Sequence, residues 1–122
     1  GDEVGMTGVQ TKDCEGQREC MVWDEDKQDK EILTFMKKII SLRKRYSEFK
    51  LVNNEWVLAK DKVIIVKKEN ISIIINNNDF EKTIDLPDYL KDKKVYDLFN
   101  EVYVNLELKL TLNPYKYLII KN

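Results

Sequence analysis

Few side chains in this sequence are equipped for chemistry, and the missing types narrow the field first. None of the 122 residues is histidine, so neither Ser-His-Asp nor Cys-His nucleophilic catalysis can be assembled from them. The two cysteines, Cys14 and Cys20, cannot complete a structural zinc site without histidine or further cysteine. Their spacing permits a local disulfide, but a pair of free thiols is the preferred reading. Asp2 and Glu3 are adjacent carboxylates, the residue type needed for acid–base work. Neighbours on extended chain point apart, however, so they form a poor acid–nucleophile pair and are read as structural. Trp56 could stack on a sugar ring, yet it sits in a strand-like run with Val57 and Leu58 and is expected in the core. The Asn76–Asn77–Asn78–Asp79 run offers oxygen ligands but lacks the spacing of a calcium-binding EF-hand loop, and is read as a turn. No metal site and no cofactor is expected.

The elements that must position these groups fall into three stretches. Residues Gly1 to Lys27 are Gly-rich, charged and aperiodic, and read as a loop. Residues Gln28 to Phe49 carry apolar side chains at three- and four-residue steps (Ile32, Leu33, Phe35, Met36, Ile39, Ile40, Leu42, Tyr46 and Phe49), which predicts one amphipathic helix. Acids lie early and bases late in it, as the helix dipole prefers, and Asp24 or Asp26 is the expected N-cap. From Leu51 onward the period changes to that of strands. The runs are Trp56–Ala59, Val63–Lys67, Ile71–Asn76, Lys82–Leu86, Val95–Phe99, Val102–Leu112 and Tyr115–Ile120. In Val102–Leu112 the even positions are apolar, predicting one long strand with a buried face. Turn residues separate the runs at Asp61–Lys62, Glu69–Asn70, Asn77–Asp79, Pro87–Asp92, Asn100–Glu101 and Asn113–Pro114. About seven strands so spaced predict a mainly β fold, an antiparallel sandwich preceded by a loop and one helix.

Composition excludes several partners. Net charge is −1 and the pI about 5.6, so no basic surplus points to nucleic acid. Runs such as Ile71–Ile75 are too short to span a bilayer. The acidic, polar Gly1–Gly8 is not a signal peptide, which favours a cytoplasmic over a secreted protein without deciding the compartment.

A loop and a lone amphipathic helix ahead of an all-β unit is an odd order: either the helix packs on the sandwich as an α+β domain or it belongs to a larger body, and the N-terminal third favours the second. Gly1–Asp2–Glu3–Val4–Gly5–Met6 resembles the Tyr-Gly-Asp-Glu-x-Gly-Met segment that follows the eighth barrel strand in glycoside hydrolase family 13, the α-amylase-type enzymes. Arg18–Glu19–Cys20–Met21–Val22–Trp23 resembles the Arg-x-x-Met-x-Trp block of the same loop. The stretch from Leu33 to Lys44 resembles the last barrel helix. Val95–Tyr96–Asp97–Leu98 and Leu110–Thr111–Leu112–Asn113–Pro114–Tyr115 resemble strands of the C-terminal sandwich. The resemblance covers essentially the whole chain, the first three blocks come in order with the right spacing, and the best match is the neopullulanase, cyclomaltodextrinase and maltogenic amylase branch.

The resemblance implies residues 1–49 as the last loop and helix of a catalytic (β/α)8 barrel and residues 50–122 as a C-terminal β-sandwich domain. It implies a parent hydrolase of α-glucans or cyclodextrins, in which this portion stabilises the barrel. Family members are retaining enzymes with carboxylates about 5–5.5 Å apart. Those carboxylates lie on earlier barrel strands, so no catalytic residue is expected in this chain. In the resembling branch an Asp and an Arg of the loop help hold a donor-side glucose. Asp13 and Arg18 are the implied counterparts, because carboxylate and guanidinium serve the two halves of a sugar hydroxyl. The family's Asp-Pro-Asp stretch is altered here to Lys12–Asp13–Cys14–Glu15–Gly16–Gln17. Trp23 is expected to pack against the helix that follows. A stand-alone carbohydrate-binding module would need a row of exposed aromatics, and Tyr89, Tyr96, Tyr103, Tyr115 and Tyr117 show no such row in sequence. The remaining alternative is a dimerisation domain, a homodimer formed through the apolar stripe of helix 28–49.

Overall fold

The computed structural model describes residues 1–8, 12 and 18–122. They form two compact units, Gly1–Ser41 and Leu42–Asn122.

The first unit contains short 3-10 turns at Asp2–Val4 and Glu25–Lys27 and most of helix α1, Lys30–Arg45. The helix begins two residues later than its periodicity suggested, and its cap is neither Asp24 nor Asp26. Asp29 accepts the first helical bond on its carbonyl, from Leu33 N at 3.0 Å. Its Oδ1 accepts from the N–H groups of Glu31 and Ile32, both at 3.0 Å, which is what an N-cap does for the orphan donors of a first turn. Asp24 instead caps the 3-10 turn, accepting from Asp26 N at 3.1 Å.

The second unit holds the end of α1, a 3-10 turn at Ser47–Lys50 and eight strands: β1 Glu55–Lys60, β2 Val63–Lys68, β3 Ile71–Asn76, β4 Lys82–Asp85, β5 Lys94–Asp97, β6 Val102–Asn105, β7 Lys109–Leu112 and β8 Tyr117–Lys121. The expected helix Gln28–Phe49 therefore stops at Arg45. Tyr46 is extended, and the chain turns so that Glu48 meets Lys121 Nζ at 2.9 Å with the same ammonium 5.2 Å from the Tyr46 ring centroid. Arg43 donates to Phe49 O at 3.0 Å and closes this end.

Six strands form one antiparallel sheet in the order β1-β2-β3-β8-β5-β6, and β4 pairs with β7 in a second. Asp61 and Lys62 both have positive φ (51° and 58°), giving the two-residue turn whose twist suits a hairpin. Between the sheets lie Val63, Ile65, Ile74, Ile84, Leu86, Leu90, Val95, Leu106, Leu112, Leu118 and Ile120. The fold is thus mainly β, an antiparallel sandwich, with eight strands where about seven were read.

The additional strand comes from Val102–Leu112, which is two strands. β6 pairs with β5 in the large sheet and β7 with β4 in the small one. Leu106, buried between the sheets, is the corner at which the chain crosses over. Its N–H bonds Lys93 O at 2.8 Å, and Leu108 O already accepts from Leu86 N of the other sheet at 3.0 Å. Alternation continues through the corner: Val104, Leu110 and Leu112 still face the core, while Val102 and Leu108 are exposed.

The buried end of β3 carries a polar knot. Asn76 is fully buried; its Nδ2 lies 3.0, 3.2 and 3.0 Å from the carbonyl oxygens of Phe80, Leu112 and Asn113. Its Oδ1 accepts from Asn78 N at 3.1 Å and Asn78 Nδ2 at 2.8 Å. Asn78 Nδ2 also bonds Asp61 O at 2.8 Å. The Asn-rich run is a turn, and it ties the hairpin β1–β2 to the second sheet. Asp97 serves the turn after β5 in the same manner, accepting from Phe99 N and Asn100 N at 2.9 Å and from Asn100 Nδ2 at 2.8 Å.

Candidate functional site

The expected sugar-contacting residues come from the loop ahead of α1. Gly5 opens it with φ +72°, and a Cβ there would come within 2.8 Å of Asp29 Cβ. Val4 is buried, and its carbonyl accepts from Asp29 N at 3.0 Å. The Asp2–Val4 turn is thereby fastened to the N-cap of the helix. Asp2 and Glu3 are consecutive in that turn, where Asp2 O accepts from Gly5 N at 3.1 Å and the Glu3 carboxylate accepts from the Gly1 amino group at 2.8 Å. The Asp2 bond is made by its main-chain carbonyl, and only the Glu3 carboxylate is engaged.

Arg18 is exposed, and no hydrogen bond or ion pair holds its guanidinium among the described residues. Asp13 and Cys14 lie outside the described residues. Cys20 is an exposed free thiol. Gly1, Asp2, Met6, Thr7, Glu19 and Met21 border a hollow of about 460 Å³. Among the described residues no cluster of His, Cys, Asp and Glu could hold a metal ion, and no helix is long and apolar enough to cross a membrane.

Both tryptophans are placed differently from expectation. Trp23 is 80% exposed and does not pack on α1. The chain there is held by its backbone instead, Gln28 Nε2 donating to Val22 O at 2.8 Å. Trp56 is 63% exposed. It pairs with Val66 on β1, the edge strand, on the sheet face opposite the core residues Val63 and Ile65, so it has a neighbour strand on one side only.

A second hollow, about 310 Å³, opens at the start of β1 and the end of β2, lined by Asn53, Asn54, Glu55, Lys67 and Glu69. Residue spacing gave no sign of it. It arises because Glu55 and Lys67 are cross-strand partners and the Glu69 turn folds back beside them.

No protein-family model matches the sequence. In sequence the chain is similar to a cyclomaltodextrinase of Thermoanaerobacter pseudethanolicus (strain ATCC 33223 / 39E), 36% identical over 114 residues that take in 85% of this chain and 19% of the relative. It is 29% identical to neopullulanase 2 of Thermoactinomyces vulgaris over 138 aligned residues, 100% of this chain and 22% of the relative. A solved structure, the maltogenic amylase from S. marinus, shares its fold with a TM-score of 0.74 at 25% identity, covering 99% of this chain and 16% of that one. The chain spans about a fifth of the length of the curated relatives it matches.

Proposed function

We propose that this chain, which matches the C-terminal part of the α-amylase-type enzymes of glycoside hydrolase family 13 in their neopullulanase, cyclomaltodextrinase and maltogenic amylase branch, is a non-catalytic portion that stabilises a catalytic barrel acting on α-glucans or cyclodextrins. Residues 1–49 are then the last loop and helix of the barrel and residues 50–122 the sandwich domain. Asp13 and Arg18 help hold a donor-side glucose in the whole enzyme. The observation that carries the stabilising role is the second face of the large sheet. Ile64 pairs with Ile75, Val66 with Ile73, and Ile73 with Ile119, all on the face away from the sandwich core. Ile64, Val66, Ile73 and Ile75 are only half-buried. Covering an apolar side chain is worth about 1.5–3 kcal/mol, so a sheet that is apolar on both faces gains from a neighbour on each.

The test uses the enzyme that carries both parts. Val66→Lys with Ile73→Lys should lower its inactivation temperature by several degrees while the barrel chemistry at low temperature is retained. Unchanged thermal inactivation with the sandwich still folded would sink the role. The 122-residue chain itself should release no reducing sugar from starch, pullulan or cyclodextrin. Release above a blank, abolished by Asp2→Asn or Glu3→Gln, would overturn the non-catalytic reading. Arg18→Ala in the whole enzyme should raise KM for the glucan.

A second reading, dimerisation through helix 28–49, is favoured by the exposure of Ile32 (39%) and Ile40 (47%), two turns apart on one stripe of α1. A twofold pairing would bury the same patch on both copies. Sedimentation should then show a dimer of the 122-residue chain that Ile32→Glu with Ile40→Glu converts to monomer; a wild-type monomer at high concentration removes this reading. The binding-module alternative draws less support. Tyr96, Tyr103 and Tyr117 do share the outer sheet face by register, but of these only Tyr103 is strongly exposed.

A further inference from the structure

We propose that the hollow between Asn53–Glu55 and Lys67–Glu69 is a subsite for one or two glucose units of an α-glucan. Its lining decides the ligand class. Asn53 and Asn54 each offer donors and an acceptor, Glu55 and Glu69 offer acceptors, and Lys67 offers donors. A sugar hydroxyl uses both kinds. An inorganic anion would face two carboxylates, and a divalent cation would face the Lys67 ammonium with only two carboxylates to hold it. The size, about 310 Å³, lies at the small end of ligand pockets, roughly 300–1,000 Å³, which suits one or two rings.

The groups are also available. Among the described residues the side chains of Asn53, Asn54, Glu55 and Glu69 make no hydrogen bond or ion pair, so their capacity is unspent. Lys67 is held in place rather than left to sweep solvent. Its Nζ sits 4.5 Å from the Tyr89 ring centroid, and the Tyr89 hydroxyl is fixed at 2.9 Å from Ser72 Oγ, a fully buried residue. Fixing a donor before the ligand arrives lowers the ordering cost of binding.

The choice of an α-glucan rests on the proposed function, and the test separates the two. The 15N-labelled 122-residue chain is titrated with maltotriose, with cellotriose as the control. Saturable amide shifts should appear across Asn53–Trp56 and Lys67–Glu69, with a Kd on the order of 1–10 mM. Glu55→Gln with Lys67→Met should weaken binding about tenfold, the effect of losing charge-assisted bonds, while Lys60→Met on the same strand should leave it unchanged. Absence of saturable shifts in the wild-type chain, shifts that survive Glu55→Gln with Lys67→Met, or equal binding of cellotriose each overturn the subsite. None of these outcomes touches the barrel-stabilising role, which is read from the inactivation temperature of the whole enzyme.

Discussion

Gly5 lies against Asp29, so close that a Cβ on Gly5 would come within 2.8 Å of the Cβ of that helix-capping residue. The loop's glycine and the helix's N-cap are therefore one structural unit, closed by the 3.0 Å bond from Asp29 N to Val4 O. Gly5→Ala places a side chain at φ +72°, which costs about 1–2 kcal/mol, and crowds Asp29, for about 1–3 kcal/mol more. Amide exchange at Asp29, Glu31 and Ile32 should quicken by about 30-fold or more, the equivalent of roughly 2 kcal/mol in local opening. Unchanged exchange there would show that the cap does not depend on the loop.

Asn76 should tolerate neither loss nor charge. Asn76→Ala removes the donor shared by three carbonyls and the acceptor for Asn78, which should destabilise the second unit by about 2–4 kcal/mol as buried groups lose partners. Asn76→Asp keeps the shape but aims a second oxygen at those carbonyls, and should be at least as costly at neutral pH. Urea unfolding followed by tryptophan fluorescence measures both. An Asn76→Asp protein as stable as wild type would mean that the knot is assembled differently.

The Glu48–Lys121 pair predicts a pH dependence. The hydrogen bond from Lys121, helped by a backbone bond, holds the Glu48 carboxyl below the usual carboxylate range. A depressed folded-state value contributes stability that is fully present above the unfolded carboxyl's pKa and is lost as pH falls through the folded one. Lys121→Met should therefore cost about 0.5–1 kcal/mol at neutral pH, toward the lower figure because solvent reaches the lysine. The gap to wild type should close as the solution is acidified. A gap independent of pH between neutrality and the acid transition would refute this assignment.

The Tyr89–Ser72 bond predicts non-additivity. Tyr89→Phe leaves the buried Ser72 hydroxyl without its partner and should cost about 1–3 kcal/mol, whereas Tyr89→Phe with Ser72→Ala should recover part of that loss. Burial is the main reason the Tyr89 phenol is raised above its ordinary value. The stability it contributes is thus present below the unfolded phenol's pKa and lost as pH rises through the raised folded one. A wild-type chain whose alkaline unfolding matches that of Tyr89→Phe would remove this assignment.

Much of the fold is legible in the sequence because it is local. The runs β1 to β3 are short, apolar (β-branched in β2 and β3) and separated by two-residue turns at Asp61–Lys62 and Glu69–Asn70, and pairing between neighbours in sequence needs nothing else. The apolar spacing from Ile32 to Leu42 specifies a helix for the same reason. The resemblance carried by the Gly1–Met6 and Arg18–Trp23 blocks is likewise a property of residue order.

The remaining features depend on what meets what. Val102–Leu112 has the alternation of one strand, yet Leu106 turns it into two because the core between the sheets accepts that leucine at a corner. Asp24, Asp26 and Asp29 are equally good caps by type, and the bond from Asp29 N to Val4 O selects the third. Trp56 has the composition of a core residue, but the order of the sheet makes β1 an edge and leaves its outward face uncovered. The helix period runs on to Phe49, while Lys121, distant in sequence, draws Glu48 into a separate turn. Residue types and spacing thus determined the elements, the family likeness and the absence of histidine-based chemistry. Only tertiary structure decided which apolar faces are buried, which polar groups meet in the Asn76 knot, and that Glu55 and Lys67 share a hollow, because each is a contact between residues that one-dimensional periodicity cannot pair.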